Sequence, residues 1–428
     1  MKKALVLGGG GSKGAYEIGV WKALNEMNMS FDIVTGTSIG AMIGVLYVQQ
    51  QYEKAYDLWD NLQVEQIIRK GLNVDLDIEL IMGQKGKYKD FLQSYVQNKG
   101  ADITPFEELL HDYFDADRFF SSPMDYACMI YNVTKREPLA MSKKDMTVEN
   151  AVDYILASAS CFPAFPMKEI NGEKLVDGGF YDNVPIELAR SMGAEYIVAV
   201  DLKSVGKNQI HHPQEDLIYI EPQVPLGSFL LFDHQRIKRN MTLGYQDTMK
   251  VFQHYMGSIY TFDLKDQDLI IRFEDDVHRQ MDHIDTILDR DRMNLLIRKA
   301  VHHQMISSFS KFKEYDWPFL RMLELIAWEF GIDDIGVKSF PSFLQEVMII
   351  ANEHVAVWDK SMRDDWNLSQ AISGLKNDTG KEIICSIYRK LCSPNRNVKE
   401  LEAMVVMAND SFVMAYLLYA IQKVLLGQ

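Results

Sequence analysis

Short runs of apolar residues punctuate the first half of the chain, at 4–7, 31–34, 127–133 and Tyr196–Val200, with a further one at Leu217–Ile220. Runs that are apolar throughout, rather than alternating, predict strands covered on both faces. Between the first two, Tyr16, Val20, Ala23, Leu24 and Met27 recur at the spacing of an amphipathic helix. Residues 39–48 are apolar nearly all round, and Gly40, Ala41 and Gly44 are small enough for close backbone approach, which predicts a helix in the centre of a domain. After Pro185, IELARSMGA predicts another helix, ending near Gly193. Strands alternating with helices predict a layered α/β fold. After about Asp275 the pattern changes to the charged stretch EDDVHRQMDHIDTILDRDR and then to helical periodicity with few strand candidates. We therefore expect a catalytic domain over 1–285 and a helical C-terminal region over 286–428, whose Met- and Leu-rich end, 401–426, forms one core helix or a pair.

At 428 residues the chain exceeds the size at which single cores stop growing, in keeping with one large domain and a smaller one. A net charge of −15 and the lack of a Lys/Arg tract exclude the counterion-release binding that nucleic acid demands. The same acidity repels an anionic bilayer at long range, so any transient membrane contact must come from local apolar surface. The opening MKKALVLGGG has two lysines before an apolar run, but the run is too short for a secretory signal and reads better as a buried first strand. Cys128, Cys161, Cys385 and Cys392 lack the spacing of a disulfide framework or a zinc site, which fits a reducing compartment. The expected location is cytoplasmic, with peripheral membrane contact.

Two glycine-rich segments carry the chemistry. GTSIG at 36–40 puts Ser38 on a turn between an apolar strand and an apolar helix, and Gly36 and Gly40 relieve crowding there, as an exposed nucleophile requires. GGGGSKG at 8–14 admits three readings. Gly9, Gly11 and Gly14 satisfy the dinucleotide fingerprint, but the second strand runs into Gly36, Thr37 and Ser38 rather than into the acidic residue that holds a ribose. A Walker phosphate loop fails because no GK[ST] follows. The third reading is an oxyanion hole, in which consecutive glycines turn backbone N–H groups toward a ligand at a helix N-terminus, with Lys13 adding positive charge. The ten histidines all lie at or beyond His111, none in a loop that marks a catalytic role, and no HExxH zinc motif occurs. Another candidate base is Asp177 in LVDGGFYDNVP, a strand-end aspartate followed by Gly178 and Gly179 in a tight turn.

GGGxKG, GTSIG and DGG in this order resemble the patatin-like phospholipases, and the resemblance extends to ASASCFPAFPMKEI before Asp177 and PIELARSMGAEYIVAVD after it. The resemblance implies a three-layer α/β/α patatin-like domain and a Ser–Asp dyad without histidine. Ser38 would be the nucleophile, Asp177 its base, and the Gly10 and Gly11 N–H groups the oxyanion donors. Lys13 stands where the family has a basic residue, and Asp182 stands where relatives often have Asn. It also implies hydrolysis of lipid esters with neither cofactor nor metal. Two other functions stay open on the residues alone: a soluble-ester or thioester hydrolase with the same dyad, and a nucleotide-binding protein using the first glycine motif. The cluster Phe229, Leu230, Leu231 and Phe232 is read as core packing, an acyl tunnel or a membrane contact. Head-group preference and oligomeric state have no signature in the sequence.

Overall fold

The apolar runs become the centre of one mixed sheet. A computed structural model describes residues 1–69, 102–209, 215–281, 318–359, 380–394 and 398–427. The chain divides into two compact units, Met1–Phe252 and Gln253–Gln428. The first contains β1 (Lys3–Leu7), β2 (Ile33–Thr37), β3 (Asp125–Asn132), β4 (Glu137–Ser142), β5 (Lys168–Ile170), β6 (Glu173–Asp177), β7 (Tyr196–Val200) and β8 (Leu217–Ile220). The order is β5-β6-β3-β2-β1-β7-β8, with β4 also paired to β3. Strands β3, β2, β1, β7 and β8 are parallel, whereas β4 and β6 run antiparallel to β3, and β5 antiparallel to β6.

The described helices of this unit are α1 (Ala15–Glu26), α2 (Ile39–Val48), α3 (Tyr52–Asn61), α4 (Thr104–Tyr113), α5 (Ala116–Ser121), α6 (Ala151–Ser158), α7 (Ile186–Ser191) and α8 (His234–Val251). On one face of the sheet Ala4, Val6, Ile33, Ile197 and Ala199 pack with Ile186 and Ala189 of α7. Successive strand residues point to opposite faces. Leu5 and Leu7, equally buried, therefore face the other layer, where α2 lies against β1, β2 and β3. This is the three-layer α/β/α arrangement expected from the motif order.

Helix α2 coincides with the expected stretch, but β2 is displaced. It starts at Ile33 and runs through Thr35, Gly36 and Thr37, because these residues pair with β1 on one side and β3 on the other. The buried hydroxyls of Thr35 and Thr37 are satisfied by donating to the carbonyls of Pro185 (3.2 Å) and Asp182 (2.9 Å), so polar residues sit in the sheet centre without an unmet hydrogen bond. Strands β4 and β5 were not expected. They are short and mostly solvent-facing, and so lack the continuous apolar run of the parallel strands.

Among the described residues the second unit contains three short strands, Tyr255–Met256, Thr261–Asp263 and Val337–Lys338. Its described helices are Gln267–Met281, Pro318–Glu329, Phe340–Asp359, Gly380–Cys392, Val398–Met407 and Asn409–Leu425. Tyr260, Phe262 and Phe343 form a buried aromatic cluster in it. The stretch 401–426 belongs to a pair of helices rather than one. The border expected between 285 and 286 lies outside the described residues. No helix among the described residues is long and apolar enough to cross a membrane. All four cysteines are free.

Candidate functional site

The register of β3 explains why two residues distant in sequence meet. β4 occupies one edge of β3 along 127–132, so β2 and β6 must share the other. β2 takes 125–129, with Thr37 opposite Met129, and β6 takes 130–132, with Asp177 opposite Ile130. The two strands point at each other, so their carboxyl ends converge beside Met129 and Ile130. Ser38 follows the end of β2, and Asp177 is the end of β6.

Ser38 has φ +57° and ψ −125°, a backbone state that a non-glycine residue adopts at a cost of about 1–3 kcal/mol. Three contacts hold it there. Its N–H donates to Ser158 Oγ (3.0 Å), the Ser158 hydroxyl donates to the Met129 carbonyl (2.7 Å), and its own carbonyl accepts from the Ala41 and Met42 N–H groups. The turn closes only because Gly40 lacks a side chain, since a Cβ there would lie 2.4 Å from the Leu7 carbonyl oxygen. Ser158 is buried at the end of α6 and was not singled out from the sequence, where ASAS carries no mark of its role.

Asp177 is 5% exposed, accepts from the Gly179 N–H at 2.8 Å, and has the Ser38 hydroxyl beside it, which favours its ionised form. Burial pushes its carboxyl up to about 6, against the opposing pull of those two groups. Cys161 lines the same cavity, but burial and the neighbouring Asp177 hold its thiol well above the usual range, so it is not a thiolate at neutral pH.

Beside the pair, residues 8–11 run from β1 into the helical turn Gly11–Gly14 and on into α1. Asn183 clamps this segment: its carbonyl accepts from the Gly9 N–H (3.0 Å) and its side-chain amide donates to the Gly9 carbonyl (3.1 Å). Among the described residues, the N–H groups of Gly10 and Gly11 reach no acceptor. Gly11 has φ +55°, and a Cβ there would lie 2.2 Å from the Phe229 carbonyl oxygen. That carbonyl instead takes the Ser12 N–H at 2.7 Å. Lys13 is buried, with Nζ 3.5 Å from the Lys203 carbonyl, and is not part of the cavity wall.

Ser38, Asp177, Gly9, Gly10, Gly11 and Gly179 all line one cavity of about 320 Å³, whereas Gly14, Gly36, Gly40 and Gly178 lie behind its wall. The rest of the lining is largely apolar, including Trp59, Phe106, Phe165 and Phe180. Of the 229–232 cluster, Phe229, Leu230 and Phe232 join this wall, and Leu231 is 47% exposed. A smaller void of about 40 Å³ shares Ile39, Trp59 and Phe106 with it and reaches Leu110 and Tyr113 of α4. Among the described residues no histidine lines the cavity, and no cluster of His, Cys, Asp or Glu is arranged to hold a metal.

Fold and site together define the class: an α/β/α protein in which a serine and an aspartate meet at converging strand ends, facing an apolar cavity. Residues 5–190 match the Patatin family model, described as patatin-like phospholipase. Lysophospholipase NTE1 of Phaeosphaeria nodorum is 29% identical over 207 residues, 48% of this chain and 12% of that relative. Patatin-like phospholipase domain-containing protein 7 of Mus musculus is 28% identical over 204 residues, 47% of this chain and 14% of that relative. The matched stretch thus spans only about an eighth of the curated relatives' length. VipD from Legionella pneumophila aligns over 98% of this chain and 91% of its own at 15% identity, with a TM-score of 0.39, too low to carry weight.

Proposed function

We propose that the first unit is a lipid acyl hydrolase that cleaves carboxylic esters with Ser38 as nucleophile and Asp177 as general base. The observation that carries this reading is the convergence of β2 and β6 on one edge of β3, which sets Ser38 beside the buried Asp177 carboxyl at the wall of one cavity, where burial raises that carboxyl to about 6. A serine hydroxyl is a weak nucleophile unless a base adjoins it, and a base works best when its pKa lies near the working pH. Ser38 Oγ attacks the ester carbonyl while its proton passes to Asp177. The oxyanion that forms is met by the Gly10 and Gly11 N–H groups, each donor contributing about 3–4 kcal/mol to the transition state. Asp177 then returns the proton to the departing alcohol, leaving an acyl group on Ser38. Water, deprotonated by Asp177, releases the fatty acid.

The apolar cavity and the void between α2, α3 and α4 suit an acyl chain, and the names of the relatives point to phospholipids and lysophospholipids. Lipid is the proposed substrate, met by transient contact of the first unit with a membrane surface from the cytoplasmic side. The nucleotide reading is disfavoured because the Ser12 N–H, which a diphosphate at this turn would use, already donates to Phe229. Covalent labelling by a fluorophosphonate probe tests the proposal: it should mark Ser38 and disappear in Ser38→Ala. Labelling that persists in Ser38→Ala would remove the nucleophile from the account.

A further inference from the structure

Among the described residues, two of those lining the cavity carry an ionisable acid or ammonium group, Asp177 and the solvent-exposed Lys207. Building on the hydrolase reading above, we infer that Lys207 is a specificity-determining residue: its ammonium meets the phosphodiester of a glycerolipid substrate and favours it over a neutral ester of the same acyl chain.

The position of Lys207 is fixed from both sides. Its N–H donates to the Gly179 carbonyl (2.9 Å), and its carbonyl accepts from the Asn183 N–H (2.7 Å). Gly179 in turn donates to Asp177, so the lysine is rooted one residue contact from the reacting pair. In a glycerophospholipid only the glycerol unit separates an ester carbonyl from the phosphate. An ester held at Ser38 therefore brings its phosphate to the neighbourhood of this loop.

The charge of Lys207 is also uncommitted. Nearby Lys203 is paired with Glu221 at 2.5 Å and lies 3.8 Å from Asp201, whereas Lys207, exposed to solvent, has no carboxylate partner among the described residues. Lys13 is turned inward to the Lys203 carbonyl. In a chain of net charge −15 an approaching anion meets long-range repulsion, and a single unpaired ammonium at a largely apolar cavity offsets it locally. Next to it in the wall Val205 is 48% exposed, giving the lysine an apolar neighbour suited to a lipid rather than to a soluble anion.

The test compares a lysophosphatidylglycerol with a monoacylglycerol of the same acyl chain, both in neutral detergent micelles, for the full-length protein and its Lys207→Ala, Lys207→Glu and Lys207→Arg variants. The ratio of kcat/KM on the phosphate-bearing ester to that on the neutral ester should fall about three- to tenfold in Lys207→Ala, chiefly through KM. It should fall further in Lys207→Glu and be largely kept in Lys207→Arg. The preference of the wild type should shrink at high salt, as an exposed charge contact must. A ratio unchanged by Lys207→Glu, or equal losses on both esters, overturns the role given to Lys207 while leaving the hydrolase reading in place. A wild-type protein that hydrolyses neither ester overturns both.

Discussion

Along one edge of β3, a parallel strand and an antiparallel one supply the two halves of the site by different means. On the parallel side, β2 is buried on both faces and delivers Ser38 through a strand-to-helix turn in which backbone packs on backbone. On the antiparallel side, β5 and β6 form a small hairpin that is open to solvent near its turn and buried only over 175–177, and it delivers Asp177 by running head-on toward β2. The parallel strand is rigid because it lies in the sheet centre. The hairpin is held by fewer elements, and the position of Asp177 relies on hydrogen bonds such as that from its N–H to the Ser160 carbonyl (3.0 Å).

Breaking the parallel half at its end should have the largest effect. Ser38→Ala removes the nucleophile and should lower kcat by about 10⁴-fold or more, measured on any ester the wild type cleaves. On the antiparallel half, Asp177→Asn should lower kcat by about 10³–10⁴-fold while leaving the protein folded. Its stability should move the other way. The native carboxyl titrates at about 6 rather than the usual 3.8, so its favourable contribution is fully present below about pH 4 and is lost as pH rises through about 6. Asp177→Asn should therefore raise Tm at neutral pH, by an amount equivalent to at most about 3 kcal/mol. A fall in Tm at neutral pH would contradict the buried, raised carboxyl.

Two further variants sharpen the contrast. Gly11→Ala places a Cβ against the Phe229 carbonyl in a left-handed backbone state, displacing a donor N–H, and should lower kcat by about a hundred- to a thousandfold. Ser158→Ala leaves the Ser38 N–H and the Met129 carbonyl without their shared partner. We expect a stability loss of about 1–3 kcal/mol by denaturant titration, with a smaller fall in kcat of about tenfold. Full activity in Ser158→Ala would mean that the turn holds its strained geometry without that link.

How much of this could be read from the chain follows the same division. Buried parallel strands announce themselves as apolar runs, and the glycine-flanked Ser38 announces the turn, so the layered fold and one half of the site were legible. The antiparallel flank was not, because KEI and EKLVD are short and charged. One signal for it was present. Asn171-Gly172 joins β5 to β6 with φ +53° and +80°, the two-residue turn that Asn-Gly favours in hairpins. What no local pattern encodes is that β6 continues the line of β2 along one edge of β3. Asp177 was therefore a strand-end turn residue whose partner only the motif order suggested. Ser158 and Lys207 lay beyond reach for the same reason, since each matters through contacts made across distant segments.

The central claim is that Ser38 is activated by the carboxyl of Asp177. The most direct measurement is the pH dependence of Ser38 phosphonylation by a fluorophosphonate, with loss of fluoride, in wild type and in Asp177→Asn. The account predicts a rate that rises with pH through a single ionisation near 6 and is flat above it, and that both the ionisation and nearly all of the rate vanish in Asp177→Asn. Phosphonylation of Asp177→Asn at the wild-type rate, or with the same ionisation retained, would contradict it.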